Sequence, residues 1–388
     1  MDEANQSWNG NVGEWSEPYV LYKLLADGKL CQADGDLRPS PNDFVKIMSV
    51  VREDVTSELS GSGYVTFQPT AAKGDGEKKT VPVEDVAAKA ARLFKEHLLS
   101  HNGQNGAFPI PWLEEELRSY GFTAHKNPIP DSARNVKRDI TLIVHDPKSG
   151  GTPSLGFSVK SKVGSPPTLF NASEVTNLVY RVRGLSERDA EEINAYDGPK
   201  KLIWKCTKIK NLASEIKFEK YNSKVFGDNL DVVDAALPKI VADLVKVYYF
   251  EMLTGPRPQV KNVSHPHDRI TRALELLNEK PPYCLHSRKN YCEIKIKHFL
   301  RACALGLMPS QVWNDVDDAN GGYIVVLPNG ELLGFFVYNR NVFEDYLLKE
   351  TFFERGSTTK HKYMSLEADG NTGDYLLKLN LDIRFLNK

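Results

Sequence analysis

Asp139 and the triplet Ser158-Val159-Lys160 are residue types from which hydrolysis of a phosphodiester can be built. A carboxylate can hold a divalent cation, and an ammonium group can orient water and neutralise the charge that develops on the phosphate. Asp139 to His145 (DITLIVH) alternates, with Ile140, Leu142 and Val144 on one face and Asp139, Thr141 and Ile143 on the other. A turn from Asp146 to Gly151 then leads to a second run, Leu155 to Val163, so the spacing predicts a hairpin. On its second strand Ser158, Lys160 and Lys162 share one face, with Phe157 and Val159 on the other. One carboxylate is thin anchorage for Mg²⁺, which prefers oxygen ligands and keeps several waters. A second acid is wanted, and Ser158, two residues before the lysine, is a poor ligand for that metal.

These residues resemble the PD…(D/E)xK nucleases, in particular the branch of restriction endonucleases that cut sites containing CCGG. There, serine replaces the acid before the lysine, as in Ser158-Val159-Lys160, and a glutamate on the following helix takes over. Glu174, fourteen residues after Lys160, occupies that place. The branch also sets a glutamate from an N-terminal helix beside the metal; Glu17 in GEWSE is the matching residue, with Glu14 second. At the scale of longer segments, GEWSEPYVLYKLLADGKL and RDITLIVHDPKSGGTPSLGFSVKSKVGSPPTLFNAS are similar to the HpaII-type restriction endonucleases.

The resemblance implies an α/β fold, a mixed central sheet flanked by helices. It implies a type II endonuclease that cuts double-stranded DNA at a short palindrome, CCGG or a sequence containing it, alongside a cognate DNA methyltransferase. Asp139, Glu174 and the Val159 carbonyl would hold Mg²⁺, Lys160 would orient the attacking water, and Glu17 would hold a water or the lysine. The products would carry 5′-phosphates. Arg134, Lys137, Lys162, Ser165 and Asn171 are the expected DNA contacts. Two departures stand out: Arg138 replaces the proline before the first acid, and Lys162-Val-Gly-Ser-Pro-Pro replaces the Arg-x-Asp-Arg pattern that reads CCGG in that branch.

Each feature also has a plainer reading. Asn171-Ala-Ser-Glu174 is a capping-box spacing, in which the glutamate returns to the cap amide. Glu17 is favourable negative charge near a helix start. Cys284, His286, Cys292 and His298 are zinc-ligand types at a spacing that fits no standard finger. Two other classes share the residues: a non-specific repair or recombination nuclease, and a DNA-binding module that has lost cleavage.

The elements that must position these groups follow from periodicity. Helices are predicted at Glu14 to Leu25 (with Pro18 in the first turn), Glu84 to Leu99, Trp112 to Ser119, Asn171 to Arg183, Asp231 to Leu253, Arg269 to Asn278 and Glu293 to Leu307. Lys201 to Lys208 reads as a strand, and Tyr323 to Leu327 with Leu332 to Tyr338 as a hairpin through Pro-Asn-Gly. The organisation expected is a catalytic core with N-terminal helices over 1–225 and a helical and β-rich region over 226–388 for DNA recognition and dimer contacts.

With 388 residues, 41% hydrophobic and 26% charged, the chain is composed like a soluble globular protein, and its five scattered cysteines suit a reducing compartment. No signal peptide or membrane span is visible, so a cytoplasmic protein is expected. Net charge is −1, but eight lysines between Lys200 and Lys224 face only Glu215 and Glu219, and six Lys/Arg between Arg134 and Lys162 face Asp139 and Asp146. Such clusters suit contacts to a phosphate backbone. A symmetric site needs two cuts, so a homodimer is expected, with a monomer acting twice as the alternative.

Overall fold

The computed structural model describes residues 7–70, 76–104, 106–128, 136–256 and 265–386. Strand β1 (Asn9–Gly10) leads into helix α1 (Val12–Asp27), then a meander of β2 (Lys29–Ala33), β3 (Pro39–Val51), β4 (Val55–Leu59), β5 (Tyr64–Pro69) and β6 (Lys79–Pro82). Helix α2 (Val83–Leu93) widens into a π-turn, and β7 (Phe108–Pro109) and α3 (Pro111–Ser119) follow. The predicted hairpin is β8 (Ile140–His145) and β9 (Ser154–Ser161). Next come β10 (Thr168–Phe170), β11 (Asn177–Arg183), α4 (Glu187–Ala195), α5 (Lys201–Leu212) and β12 (Glu215–Tyr221). Helices α6 (Lys224–Val233), α7 (Leu237–Val247), α8 (Ile270–Asn278) and α9 (Tyr291–Leu305) precede the hairpin β13 (Gly322–Val326) and β14 (Leu332–Phe336). The chain ends with α10 (Arg340–Lys349), β15 (Thr351–Phe353), β16 (Leu366–Ala368), β17 (Tyr375–Asn380) and β18 (Ile383–Phe385).

The main sheet has nine strands in the order β2-β14-β13-β9-β8-β3-β4-β5-β6. Strand β3 is long enough to serve twice. Its residues 46–51 pair with β8 and its residues 39–46 with β2, so six of the strands close into a ring. Helix α1 packs on β2, β3 and β9 with ten of its sixteen residues buried, among them Trp15, Leu21, Leu24 and Leu25. Asn11 caps it by accepting from the Glu14 amide at 3.1 Å, while Glu14 accepts from the Asn11 amide at 3.0 Å. That cap starts the helix at Val12, so Pro18 lies in its interior rather than in its first turn, and the Glu14 carbonyl has no amide four residues on.

Strands β13 and β14 divide two cores. Ile324, Val326, Leu332 and Phe336 join the core built on α1, whereas Tyr323, Val325, Leu333 and Phe335 join the one built by α6 to α10 and two smaller antiparallel sheets. Those sheets are β12-β11-β17-β16 and β10-β18-β15. Because β13 pairs in parallel with β9, residues 322–336 belong to the main sheet. Gly322 makes the entry of β13 tolerable: at φ +115° a Cβ there would lie 1.9 Å from the Phe335 carbonyl oxygen.

Two predicted elements differ. Asn171 to Arg183 is a single 3₁₀ turn over Glu174–Thr176 followed by strand β11, because Leu178, Tyr180 and Val182 alternate into the second core. Lys201 to Lys208 belongs to helix α5, whose Cys206 and Ile209 point into that same core. Among the described residues no helix is long and apolar enough to cross a membrane.

Candidate active site

The site occupies the place where β8 stops short of β9. The last ladder bond runs from the Asp139 amide to the Phe157 carbonyl at 2.8 Å, and β9 continues to Ser161 with that side uncovered. The Asp139 carboxylate fills the gap. Its Oδ2 accepts from the Val159 amide at 2.7 Å and the Ser158 hydroxyl at 3.0 Å, while Oδ1 accepts from no described residue. Ser158 is therefore a positioning hydroxyl, spent on Asp139. The amide and carbonyl of one strand residue point to the same side, so the Val159 carbonyl faces the gap as well.

Glu17 reaches the gap from α1, its Oε2 accepting from the Asn127 amide at 3.1 Å. Burial, and then the like charge of Asp139, push its carboxyl up to about 8. Glu14, the second candidate, is spent on the helix cap and on Lys126 at 2.9 Å. Lys160 lies over the Tyr323 ring at 5.3 Å; burial draws its ammonium below the usual lysine range, against the pull of Asp139 and Glu17. Lys137 is lowered too, by burial and by Lys160 beside it.

The segment that presents Asn127 is held by Arg52, which sequence reasoning missed. Its buried guanidinium donates to the carbonyls of Ala124 (2.9 Å), His125 (3.2 Å) and Lys126 (2.6 Å) and pairs with Asp54 at 3.3 Å. The only local signal was Arg52-Glu53-Asp54 at the end of an apolar strand.

The donor set fits a hard divalent cation. Asp139, Glu17 and the Val159 carbonyl are oxygen donors, and no described lysine or arginine lies within salt-bridge distance of either carboxylate. The two carboxylates thus make no direct ion pair within the protein, although Lys160 feels the charge of both. No group of three His, Cys, Asp or Glu residues suited to a metal occurs among the described residues, so two carboxylates and a carbonyl are what the protein supplies here.

A cleft of about 430 Å³ opens over these groups, with Asp139, Val159 and Lys160 on its floor, Gly13 and Glu17 of α1 on one side, and Ser165, Thr168 and Arg384 on the other. Of the expected site residues, Asp139, Lys160, Glu17, Ser158, Val159 and Ser165 gather here. Glu174 does not. The helix expected to carry it is absent, and its exposed carboxylate pairs with Lys362 at 2.8 Å. Lys162 is corrected as well: it is buried and holds Glu350 at 2.8 Å and the Leu386 carbonyl at 3.1 Å, so it cannot meet phosphate. Asn171 is exposed and outside the cleft lining, and Arg134 lies outside the described residues. Cys284 is exposed, His286 stacks on Tyr291, Cys292 is buried and His298 bonds Arg340, so these four do not converge. The lysine-rich stretch is spread over α5, β12 and α6, with Lys201, Lys208 and Lys224 paired to acids.

The model of the HpaII restriction endonuclease family matches residues 11–385. The chain belongs to that family. It is 38% identical over 382 residues, 98% of this chain and 99% of the relative, to the type II restriction enzyme HpaII of Haemophilus parainfluenzae. No solved structure matches. The HpaII family match makes the chain a type II restriction endonuclease, a site-specific endonuclease whose partner is DNA, on the α/β fold expected for it.

Proposed function

We propose that this HpaII family enzyme hydrolyses double-stranded DNA with Mg²⁺ at CCGG or a palindrome containing it, leaving 5′-phosphate ends. The observation that carries the reading is the Asp139 carboxylate, pinned through one oxygen by Ser158 and Val159 while its other oxygen faces a gap shared with Glu17 and Lys160. Asp139, Glu17 and the Val159 carbonyl would hold the ion, with Glu17 in the role first given to Glu174. When bound, Mg²⁺ supplies Lewis-acid neutralisation of the phosphate.

The rest is done by the protein. Lys160 donates to the attacking water and presents its oxygen in line with the scissile bond. A bond forms between that oxygen and phosphorus as the bond to the 3′-oxygen breaks, which leaves a 3′-hydroxyl and a 5′-phosphate. Lys137, beside Lys160, adds positive charge behind the phosphate. Ser165 at the cleft rim and Asn171 outside it contact the backbone further along. Residues 226–388 carry base reading and the contacts of a homodimer, and a methyltransferase of the same specificity protects the host.

The test is digestion of unmethylated phage DNA in Mg²⁺ and in EDTA, with sequencing of fragment ends. Discrete Mg²⁺-dependent fragments with 5′-phosphates are expected, every break mapping to a CCGG in the uncut sequence. Fragments sharing a different end sequence would overturn the site, and cutting undiminished in EDTA would overturn the metal.

A further inference from the structure

Arg384 faces the same cleft from β18, the central strand of the sheet β10-β18-β15, with Thr168 as its direct neighbour on β10. It is poorly satisfied for a guanidinium. Nε is buried without an acceptor, and Nη1 makes one long bond, 3.5 Å, to the Pro166 carbonyl. Asp382, two residues earlier, feels its charge, yet no described carboxylate lies within salt-bridge distance of it. Arg52, whose Nε also lacks a hydrogen-bond acceptor, differs in that its other nitrogens donate to three carbonyls and it pairs with Asp54. The first turn of α1 lines the same cleft; the Asn11 and Glu14 side chains take each other's amides, which leaves those of Val12 and Gly13 without a partner within the helix. Gly13 is open to the cleft, since an added Cβ would meet only Asn11 Oδ1, at 3.1 Å.

We infer that Arg384, facing the first turn of α1, forms a second phosphate subsite that grips a backbone phosphate next to the scissile one. The inference rests on the DNA-cleaving reading of the site. A guanidinium fork suits either a phosphate or the edge of guanine. The opposing helix N-terminus decides between them, because its amides and dipole favour a full negative charge, which a base edge lacks.

The experiment is fluorescence anisotropy in Ca²⁺ with a duplex bearing a central CCGG and with a scrambled duplex, each titrated with salt. Arg384→Gln is expected to weaken both duplexes about tenfold and to reduce the slope of log affinity against log salt by about one. Arg384→Lys should restore the slope. Unchanged affinity and slope would overturn the subsite, as would a loss confined to the CCGG duplex with the slope intact, which marks a base contact. Wild-type protein on duplexes with single methylphosphonates gives a check that needs no variant: a sensitive position beside the scissile phosphate is expected, and its absence sinks the inference. Failure of the wild type to bind either duplex would instead overturn the DNA-cleaving reading.

Discussion

The floor and the far wall of the cleft are built on opposite terms. On the floor, Ser158 and Val159 fix one oxygen of Asp139, Arg52 fixes the segment that fixes Glu17, and the chemistry is held from behind. On the wall, Arg384 has a buried nitrogen with no acceptor and a single long bond to the Pro166 carbonyl, while Asp382, just before β18 and outside the cleft lining, has a buried oxygen with no donor. Polar groups held in place suit the positioning of reacting atoms, whereas unpaired ones suit a charge that arrives with the substrate. Lys162 rivets the two together, since it extends β9 on the floor and grips Glu350 and Leu386 next to the wall strand β18.

Breaking the floor should stop cutting without loosening DNA. Lys160→Ala is expected to slow cleavage by at least about a thousandfold while anisotropy in Ca²⁺ shows duplex affinity nearly unchanged; full cleavage would remove Lys160 from the mechanism. Glu17→Gln should cost at least about a hundredfold in single-turnover cleavage, and Glu174→Gln should stay within about threefold because its carboxylate is an exposed partner of Lys362. The reverse ranking would return the second acid to Glu174.

Breaking the rivet should reach stability first. Lys162→Met leaves Glu350 charged and buried, so urea unfolding should show a loss of about 3 kcal/mol, and Lys162→Met with Glu350→Leu should recover most of it. An undiminished unfolding midpoint in the single variant would contradict the buried pair. The smallest effect belongs to the wall. Burial pushes the Asp382 carboxyl up to about 6 from an ordinary 3.8. The folded protein keeps a proton that the unfolded chain releases, so the wild type loses stability as pH rises from about 4 through 6. Asp382→Asn should therefore match the wild type in unfolding free energy near pH 4 and exceed it above pH 7, by on the order of 1 kcal/mol in urea titrations; a constant difference across pH would reject that origin.

The hairpin that carries Asp139 and Lys160 was legible because both strands alternate locally, and α1 because one run of residues holds its entire apolar stripe. Glu174 was misplaced for a physical reason. Asn171-Ala-Ser-Glu174 has a helix-start spacing, but Leu178, Tyr180 and Val182 have a sheet to join, and Ser173 with Thr176 closes the turn instead. In Lys201 to Lys208 the apolar residues Leu202, Trp204 and Cys206 imitate period two, yet the packing of Cys206 and Ile209 makes the segment helical. Strand β3 begins Pro-Ser-Pro-Asn, a turn composition, which hides the strand that closes the ring. The fate of Lys162 was not readable at all, for its partner is 188 residues away. Arg384 carried a faint signal, one charged position on a strand whose neighbours Ile383 and Phe385 are buried.

The parallel seat of β13 against β9, with Val325 opposite Lys160, has a meaning for the order in which the protein is made. A nascent chain carries Asp139, Lys160 and Glu17 long before residues 322–336 leave the ribosome, and until then one flank of the catalytic strand is bare. Contacts so distant in sequence form late. The sheet that carries Asp139 and Lys160 is therefore complete only when most of the chain is already present, and a fragment that stops short of β13 leaves that flank of β9 open.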